Sequence, residues 1–212
     1  MLDKDAFEGL TFSHLRRIAD VLRLVDQDAL FRAHSRLCAV RDNGRTVFLA
    51  GNGGSAATAT HWANDLGKAA KRSGRQPIRV LSLTDNTSWF TALANDEGYE
   101  SVFAGQLENF AQPGDLLVVI SASGNSANLL RAIDVARVRG ASTLAIVGFD
   151  GGALSKTVDE VVLVPTEAGA YEIVEDAHMI LCHVLTRSLV ADVPDGLQAF
   201  LKTSGSSGLV SP

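Results

Sequence analysis

The sequence predicts an α/β fold, a three-layer doubly wound sandwich with helices on both faces of a five-stranded parallel sheet. Five short apolar runs alternate with longer segments of helical periodicity, an order that is typical of parallel sheets. Two of the runs lead directly into turns rich in serine or glycine, each followed by a helix. Ligands bind beyond the carboxyl ends of the strands in such sheets, so these turns mark the expected site.

The predicted elements follow in order along the chain. Apolar residues at helical spacing between residues 12 and 40 predict two N-terminal helices, with Ser13 as the N-cap of the first. The predicted strands are 46–50, 78–83, 116–120, 143–147 and 161–164. The predicted helices around the sheet are 55–71, 86–95, 99–110, 127–139 and 170–190. We therefore divide the chain into N-terminal helices at 1–43, a sheet domain at 44–192 and a tail at 193–212, which we expect to be disordered because glycine and serine dominate its end.

Composition and charge exclude several classes of protein. A net charge of −5 argues against nucleic acid as the main partner, because proteins that bind the phosphate backbone are usually basic. No apolar run approaches the ~20 residues of a membrane span, and the N-terminus lacks the apolar core of a signal peptide. Two cysteines do not make a disulfide framework, so reduced thiols in a cytoplasmic protein are the expectation.

The stretch 115–128, DLLVVISASGNSAN, is the strongest indication of a ligand site. An unbroken apolar run predicts a strand that is buried on both faces, and a turn dense in hydroxyl groups then leads into a helix. The free N–H groups and the dipole at a helix N-terminus attract anions, and serine hydroxyls add further donors. An ordinary strand-to-helix turn with a serine N-cap is the alternative interpretation.

A second strand-to-helix turn repeats this design. The strand at 46–50 leads into GNGGS at 51–55 and then into a helix. Glycines let the backbone approach a ligand closely or adopt positive φ. No lysine follows the glycines as in a P-loop, and the spacing of a dinucleotide fingerprint is absent. Two hydroxyl-bearing turns in one domain indicate a single phosphate group that both turns share.

Four motifs resemble those of the sugar isomerase (SIS) domain. They are GNGGSA at 51–56, ANDEGY at 94–99, SASGNSAN at 121–128 and GFDGG at 148–152. The resemblance covers roughly residues 21–190. It is closest to the phosphoheptose isomerase branch and to the non-catalytic relatives of that branch, which associate with the replication initiator. It implies a flavodoxin-like order of strands and a phosphosugar ligand.

The resemblance also implies which residues contact the substrate. The phosphate would be held by four serines: Ser55, Ser121, Ser123 and Ser126. The remaining implied substrate contacts are Asn52, Gly53, Asn95, Asp96, Ala122 and Glu175. Ala122 stands where the family usually has threonine, which removes one hydroxyl group from the turn.

Ionisable residues on two of the predicted helices form a second candidate site. His61 and Asp65 lie four residues apart, and Glu175 and His183 lie eight apart, so each pair shares a helix face. Spacing alone equally allows solvated or locally hydrogen-bonded side chains. The resemblance implies that the four residues bind one divalent metal, often zinc, and that Asp65 and His183 transfer protons. Asp65 replaces a glutamate of the family and Glu175 replaces a glutamine.

Together these observations favour an aldose–ketose isomerase, most consistent with conversion of sedoheptulose 7-phosphate to D-glycero-D-manno-heptose 7-phosphate through an enediol. The alternative is a non-catalytic SIS-type protein that binds a phosphosugar or associates with the replication initiator, and the shortened side chain of Asp65 supports it. The apolar faces of the N-terminal helices either cover the sheet or pack on a second subunit. The resemblance implies a homotetramer.

Overall fold

The computed structural model describes residues 1–72 and 76–191, and the tail predicted at 193–212 lies outside this part of the chain. The sheet contains five strands: β1 (Thr46–Gly51), β2 (Arg79–Ser82), β3 (Leu116–Ser121), β4 (Ser142–Phe149) and β5 (Glu160–Pro165). All neighbouring strands are parallel, in the order β2-β1-β3-β4-β5. The predicted parallel five-stranded sheet is therefore confirmed.

Seven α-helices surround the sheet in the described residues. They are α1 (Lys4–Arg23), α2 (Gln27–Asp42), α3 (Gly54–Arg72), α4 (Thr87–Asp96), α5 (Ala104–Phe110), α6 (Ala127–Val138) and α7 (Tyr171–Ala191). Short 3₁₀ turns occur at Tyr99–Ser101 and Leu154–Lys156. The segment predicted as one helix at 99–110 is thus a 3₁₀ turn followed by a shorter α-helix.

The first helix begins ten residues earlier than predicted, so Ser13 is not its N-cap. Asp3 takes that role, because its carboxylate accepts a hydrogen bond of 2.8 Å from the N–H group of Ala6. Aspartate is as good an N-cap as serine, and no proline separates it from the apolar repeat; the one glycine in between, Gly9, is accommodated inside the helix. Ser13 therefore lies inside α1.

The hydrophobic core lies in two layers, one on each face of the sheet. Helices α1, α2, α3 and α7 pack on one face, where the strand residues include Leu49 and Val118. Helices α5 and α6 cover the other face, where the strand residues include Phe48 and Val119. Every residue of β3 is buried, which confirms that the central apolar run is enclosed on both sides.

The N-terminal helices bury one set of apolar residues and expose another. Their residues Ile18, Leu30 and Leu37 join the core on the sheet. Phe7 and Phe31, by contrast, are 61% and 67% exposed. The helices therefore cover their own sheet and still present apolar surface. None of the described helices combines the length and the hydropathy that crossing a membrane requires.

A histidine enclosed in the core makes the stability of the fold sensitive to pH. His178 on α7 is 1% exposed, and neither ring nitrogen has a hydrogen-bond partner among the described residues. Burial lowers the pKa of His178 from 6.5 to about 4, because the charged imidazolium would lose its hydration. The folded protein therefore keeps this ring neutral at pH values where the unfolded chain protonates it.

We expect the free energy of unfolding to fall by up to roughly 3 kcal/mol through this residue as the pH drops from 6.5 to about 4. Stability falls on acidification because in this pH range the histidine is protonated in the unfolded chain and neutral in the folded protein. His178→Leu, which removes both unpartnered nitrogens, should reduce the change of the unfolding free energy with pH. Denaturant titrations at several pH values measure that free energy. If the unfolding free energy of this variant depends on pH as strongly as that of the wild type, other groups cause the acid sensitivity.

Candidate active site

The two serine-bearing turns lie side by side at the carboxyl edge of the sheet. Strands β1 and β3 are neighbours, with Gly51 opposite Ile120. The connection from β1 leads to β2 on one side, and the connection from β3 leads to β4 on the other. The turns therefore flank the point where the strand order reverses, which is where open α/β sheets bind ligands.

The hydroxyl groups of the four serines are available to a ligand. Ser121 Oγ accepts from the Gly124 N–H at 3.0 Å, and Ser123 Oγ accepts from the Asn125 N–H at 3.4 Å. Ser126 occupies the N-cap position of α6, yet its side chain makes no capping hydrogen bond. Ser55 lies in the first turn of α3. Within the described residues none of these hydroxyls donates a hydrogen bond, so all four remain donors for an anion.

The loop after β4 stabilises the serine turn through hydrogen bonds from its backbone. The N–H groups of Ala153 and Leu154 donate to Asn125 Oδ1 and to the Gly124 carbonyl, both at 2.9 Å. Gly124 has a φ of +65°, and a Cβ atom there would lie 2.1 Å from the Gly151 carbonyl oxygen. Only glycine fits this contact. The GFDGG motif therefore supports the turn structurally from the neighbouring strand.

Three of the predicted substrate contacts are placed differently from the serines. The Ala122 methyl group packs with Phe149 and Val174 in a small apolar cluster, so only the backbone of Ala122 is left to meet a ligand. Asn95 and Asp96 lie exposed at the end of α4, where the Asn95 amide donates to the Asp96 carboxylate at 2.7 Å. In the described residues neither hydrogen-bonds to the serine turns.

A cavity of about 150 Å³ opens beside the glycine-rich turn. The predicted contacts Asn52 and Gly53 line it. So do Thr84, Thr87 and Tyr99, which the sequence analysis did not select as site residues. The ANDEGY motif contained this tyrosine, but its hydroxyl had no predicted partner. The cavity adds space, with a few polar side chains in its wall, for the part of a ligand beyond its phosphate.

His61, Asp65 and His183 come together where α3 packs along α7. The two Nε2 atoms are 3.0 Å apart. Asp65 Oδ2 lies 3.2 Å from His61 Nε2 and 3.5 Å from His183 Nε2. The other carboxylate oxygen, Asp65 Oδ1, pairs with Lys68 Nζ at 3.2 Å. Lys68 was missed by the sequence analysis, although it lies three residues after Asp65 on the same helix.

The geometry of this cluster fits a metal ion. Tetrahedral zinc with bonds of about 2.0–2.1 Å separates its ligand atoms by about 3.3–3.4 Å. The two nitrogens and one oxygen all lie within 4.8 Å of one another, and both donor types suit zinc. One carboxylate beside two imidazoles also supplies a negative charge.

Within the described residues Glu175 does not join this cluster, so three of the four predicted ligands lie together. Its carboxylate lies against Gly54 at the start of α3, where a Cβ atom would be 2.4 Å from either carboxylate oxygen. The physical reason is that α3 and α7 pack along each other, so the eight residues between Glu175 and His183 become about 12 Å of separation. Glu175 instead borders the glycine-rich turn.

Comparisons with known proteins agree with this fold and site. The chain matches the SIS domain family over residues 12–148. It is 41% identical to a phosphoheptose isomerase from Sulfurimonas denitrificans over 154 residues, which cover 71% of the chain and 76% of the relative. Its structure resembles that of a phosphoheptose isomerase from Neisseria gonorrhoeae, with a TM-score of 0.78, 28% identity and coverage of 88% and 97%.

A phosphoheptose isomerase from Francisella tularensis gives a similar result. Its structure matches with a TM-score of 0.79 and 25% identity, and the match covers 91% of this chain and all of that protein. The similarity thus extends over the sheet, both serine turns and the helices that carry the histidines. The chain therefore belongs to the SIS domain family, in which it groups with the phosphoheptose isomerases.

Proposed function

We propose that this protein is a phosphoheptose isomerase that interconverts sedoheptulose 7-phosphate and D-glycero-D-manno-heptose 7-phosphate. The observation that carries the proposal is the meeting of His61, Asp65 and His183 between α7 and α3, the helix that begins at the glycine-rich turn. A phosphate-binding edge and a nearby proton-transfer cluster are the two requirements of this reaction. The names of the similar proteins support the same activity.

The phosphate group anchors the substrate at the end remote from the reaction. Four serine hydroxyls and the N-termini of α3 and α6 supply donors, without a lysine or arginine in the turns themselves. In sedoheptulose 7-phosphate the phosphate is on C7 and the reacting carbons are C1 and C2. Anchoring the remote end reduces the motion of the reacting end before any bond changes.

The reaction itself is a proton transfer between adjacent carbons. A base removes a proton from C1, the released electron pair forms the C1–C2 double bond, and the carbonyl oxygen on C2 takes up a proton. The enediol then loses the proton on its C1 oxygen and gains one at C2. Asp65 is suited to the role of base and His183 to that of the second acid or base, because each has a heteroatom in the cluster.

We further propose that the cluster binds one zinc ion through His61, Asp65 and His183. When bound, such an ion supplies Lewis-acid polarisation of a carbonyl oxygen. Lys68 holds the second oxygen of Asp65, which orients the carboxylate toward the two imidazoles. The shorter aspartate still reaches both rings, because α3 and α7 pack closely at this point.

Purified protein is expected to contain about one zinc ion per chain, and His61→Ala or His183→Ala should lose most of it. Acidification should release the metal from the wild-type protein, because a protonated imidazole cannot bind it. Elemental analysis after removal of loosely bound metal provides the measurement. His14→Ala is the matched control, since this histidine pairs with Asp176 away from the cluster. Equal metal content in all four proteins would contradict the shared ion.

A phosphosugar-binding protein without turnover remains the rival function, and the shortened Asp65 is the feature that favours it. An assay of sedoheptulose 7-phosphate conversion, with and without added zinc, separates the two. Formation of the aldose phosphate supports the isomerase. Tight binding of the sugar phosphate without any conversion under either condition would establish the rival.

We also propose an oligomeric assembly and a cytoplasmic location, which surface and cysteine chemistry support. We place the enzyme in the cytoplasm, because no disulfide joins Cys38 or Cys182 in the described chain. Burial raises the pKa of the Cys182 thiol well above its ordinary value, which keeps it protonated. The exposed apolar residues of α1 and α2 are an interaction surface for further copies of the chain.

Sedimentation at micromolar concentration is expected to give about four times the 22.4 kDa chain mass. Leu10→Asp combined with Leu15→Asp should produce smaller species, because these side chains are 59% and 57% exposed on α1. Val138→Asp is the control, an 87% exposed apolar residue on α6 at the opposite face of the sheet. A wild-type monomer would refute the tetramer. If the double variant and the Val138→Asp control change the mass equally, α1 is not part of the interface.

A further inference from the structure

A buried asparagine in the serine-bearing motif has a side chain that the proposed chemistry does not yet use. Asn128 lies in the first turn of α6 and is 2% exposed. Its amide forms a reciprocal pair with Asn52: Asn52 Nδ2 donates to Asn128 Oδ1 at 3.0 Å, and Asn128 Nδ2 donates to Asn52 Oδ1 at 2.9 Å. Two antiparallel amide hydrogen bonds hold both groups in one plane and one orientation.

A third group completes the arrangement around Asn52. The Tyr99 hydroxyl donates to Asn52 Oδ1 at 2.9 Å, so this oxygen accepts two hydrogen bonds and has no further acceptor site. The tyrosine ring is held in turn by an edge contact with Phe90, at a centroid distance of 6.0 Å. Of the four hydrogen-bonding positions of the Asn52 amide, one N–H group remains unused in the described residues.

The unused N–H belongs to a residue at the wall of the cavity next to the glycine-rich turn. Asn52, Tyr99 and Phe90 all line this cavity, whereas Asn128 lies behind Asn52 and does not. A fixed N–H donor recognises an oxygen lone pair, which a sugar hydroxyl or carbonyl group provides. Asn128 can influence such a ligand only by controlling the position of Asn52.

We propose that Asn128, supported by the Tyr99 hydroxyl, is a positioning residue that orients the Asn52 amide toward the sugar part of the phosphosugar. This role rests on the proposed function of the site. It assigns the amide pair to recognition of the sugar, and it leaves recognition of the phosphate to the serines. Loss of the pair frees the Asn52 side chain to rotate, so an oriented donor becomes a mobile one.

The experiment compares steady-state kinetics of Asn128→Ala, Tyr99→Phe and the wild type with sedoheptulose 7-phosphate, and inhibition by inorganic phosphate. We expect KM to rise about fivefold to tenfold in Asn128→Ala and about two- to fivefold in Tyr99→Phe. We expect kcat and the inhibition constant of phosphate to change by less than about twofold, because the serine turns and the histidine cluster are unaltered. Tyr171→Phe is the matched control, since its hydroxyl has no hydrogen bond in the described chain.

A second arm tests whether Asn128 acts through Asn52. If it does, Asn52→Ala with Asn128→Ala should bind the sugar no more weakly than Asn52→Ala alone. Additive losses would overturn the proposal, as would a parallel loss of phosphate affinity in Asn128→Ala. Tyr99→Phe keeps the test decisive if Asn128→Ala fails to fold. Should the wild type show no turnover, the proposed function fails separately, and calorimetric binding of the same sugar phosphate to the same variants still tests the positioning role.

Discussion

His183→Asn is expected to lower kcat for sedoheptulose 7-phosphate by about 10²–10⁴-fold. His183 is the only member of the His61–Asp65–His183 cluster that comes from α7, and its Nε2 atom lies 3.0 Å from His61 and 3.5 Å from Asp65. Asparagine keeps a polar side chain but cannot exchange a proton near neutral pH. The substitution therefore removes the second acid or base and one of the three atoms suited to a metal.

The fold should tolerate this change. The His183 side chain is 47% exposed, and the contacts that join α3 to α7 are made by buried neighbours such as Trp62 and Leu185. KM should change less than kcat, because the phosphate is held elsewhere. His14→Asn controls for loss of an exposed histidine from another helix. A His183→Asn enzyme that retains more than about a third of the wild-type kcat would exclude His183 from proton transfer.

Ser121→Ala combined with Ser123→Ala is expected to weaken binding of the phosphosugar by about 10²–10⁴-fold. Each hydrogen bond to a charged group contributes about 1.5–3 kcal/mol, and two are removed. Both oxygens accept hydrogen bonds from backbone N–H groups within their own turn, and neither hydroxyl donates one in the described residues. The variant therefore loses the ligand contacts and also the acceptors of two backbone N–H groups of the turn, so its stability is measured beside its affinity.

Binding of inorganic phosphate should weaken in parallel, which distinguishes this pair from Asn128. Ser142→Ala is the matched control, because Ser142 begins β4 at the opposite edge of the same sheet and donates to the Asp115 carbonyl. Its affinity should equal that of the wild type. Isothermal calorimetry with both ligands is the measurement, supported by thermal unfolding to confirm the fold. An undiminished affinity of the double variant would place the phosphate outside the serine turn.

Local patterns in the sequence determined the sheet and its phosphate-binding edge. The run at 116–120 predicts a strand buried on both faces, and every residue of β3 is buried. The serine and glycine turns follow their strands in the chain, and parallel pairing then brings them to one edge. Such features depend on neighbours in sequence, so a pattern of apolar and turn residues is sufficient to predict them.

Only the tertiary structure decided which side chains meet across elements. His61 and His183 are separated by 122 positions, and their contact depends on how far α3 and α7 are rotated about their axes. The buried contacts between the two helices set that rotation. They include a hydrogen bond of 3.0 Å from Trp62 Nε1, next to His61, to Thr186 Oγ1, three residues after His183. The same packing places Glu175 beside Gly54 and outside the cluster.

The hydrogen-bonded pair of Asn52 and Asn128 is likewise a feature that local sequence patterns do not predict. Asn52 and Asn128 each belong to a recognisable motif, but no local pattern states that their side chains hydrogen-bond to each other. Their pairing requires β1 and β3 to be neighbours and α6 to begin within reach of the glycine-rich turn. Sequence periodicity specifies the face of an element, whereas the distance between two faces depends on the volume of everything packed between them.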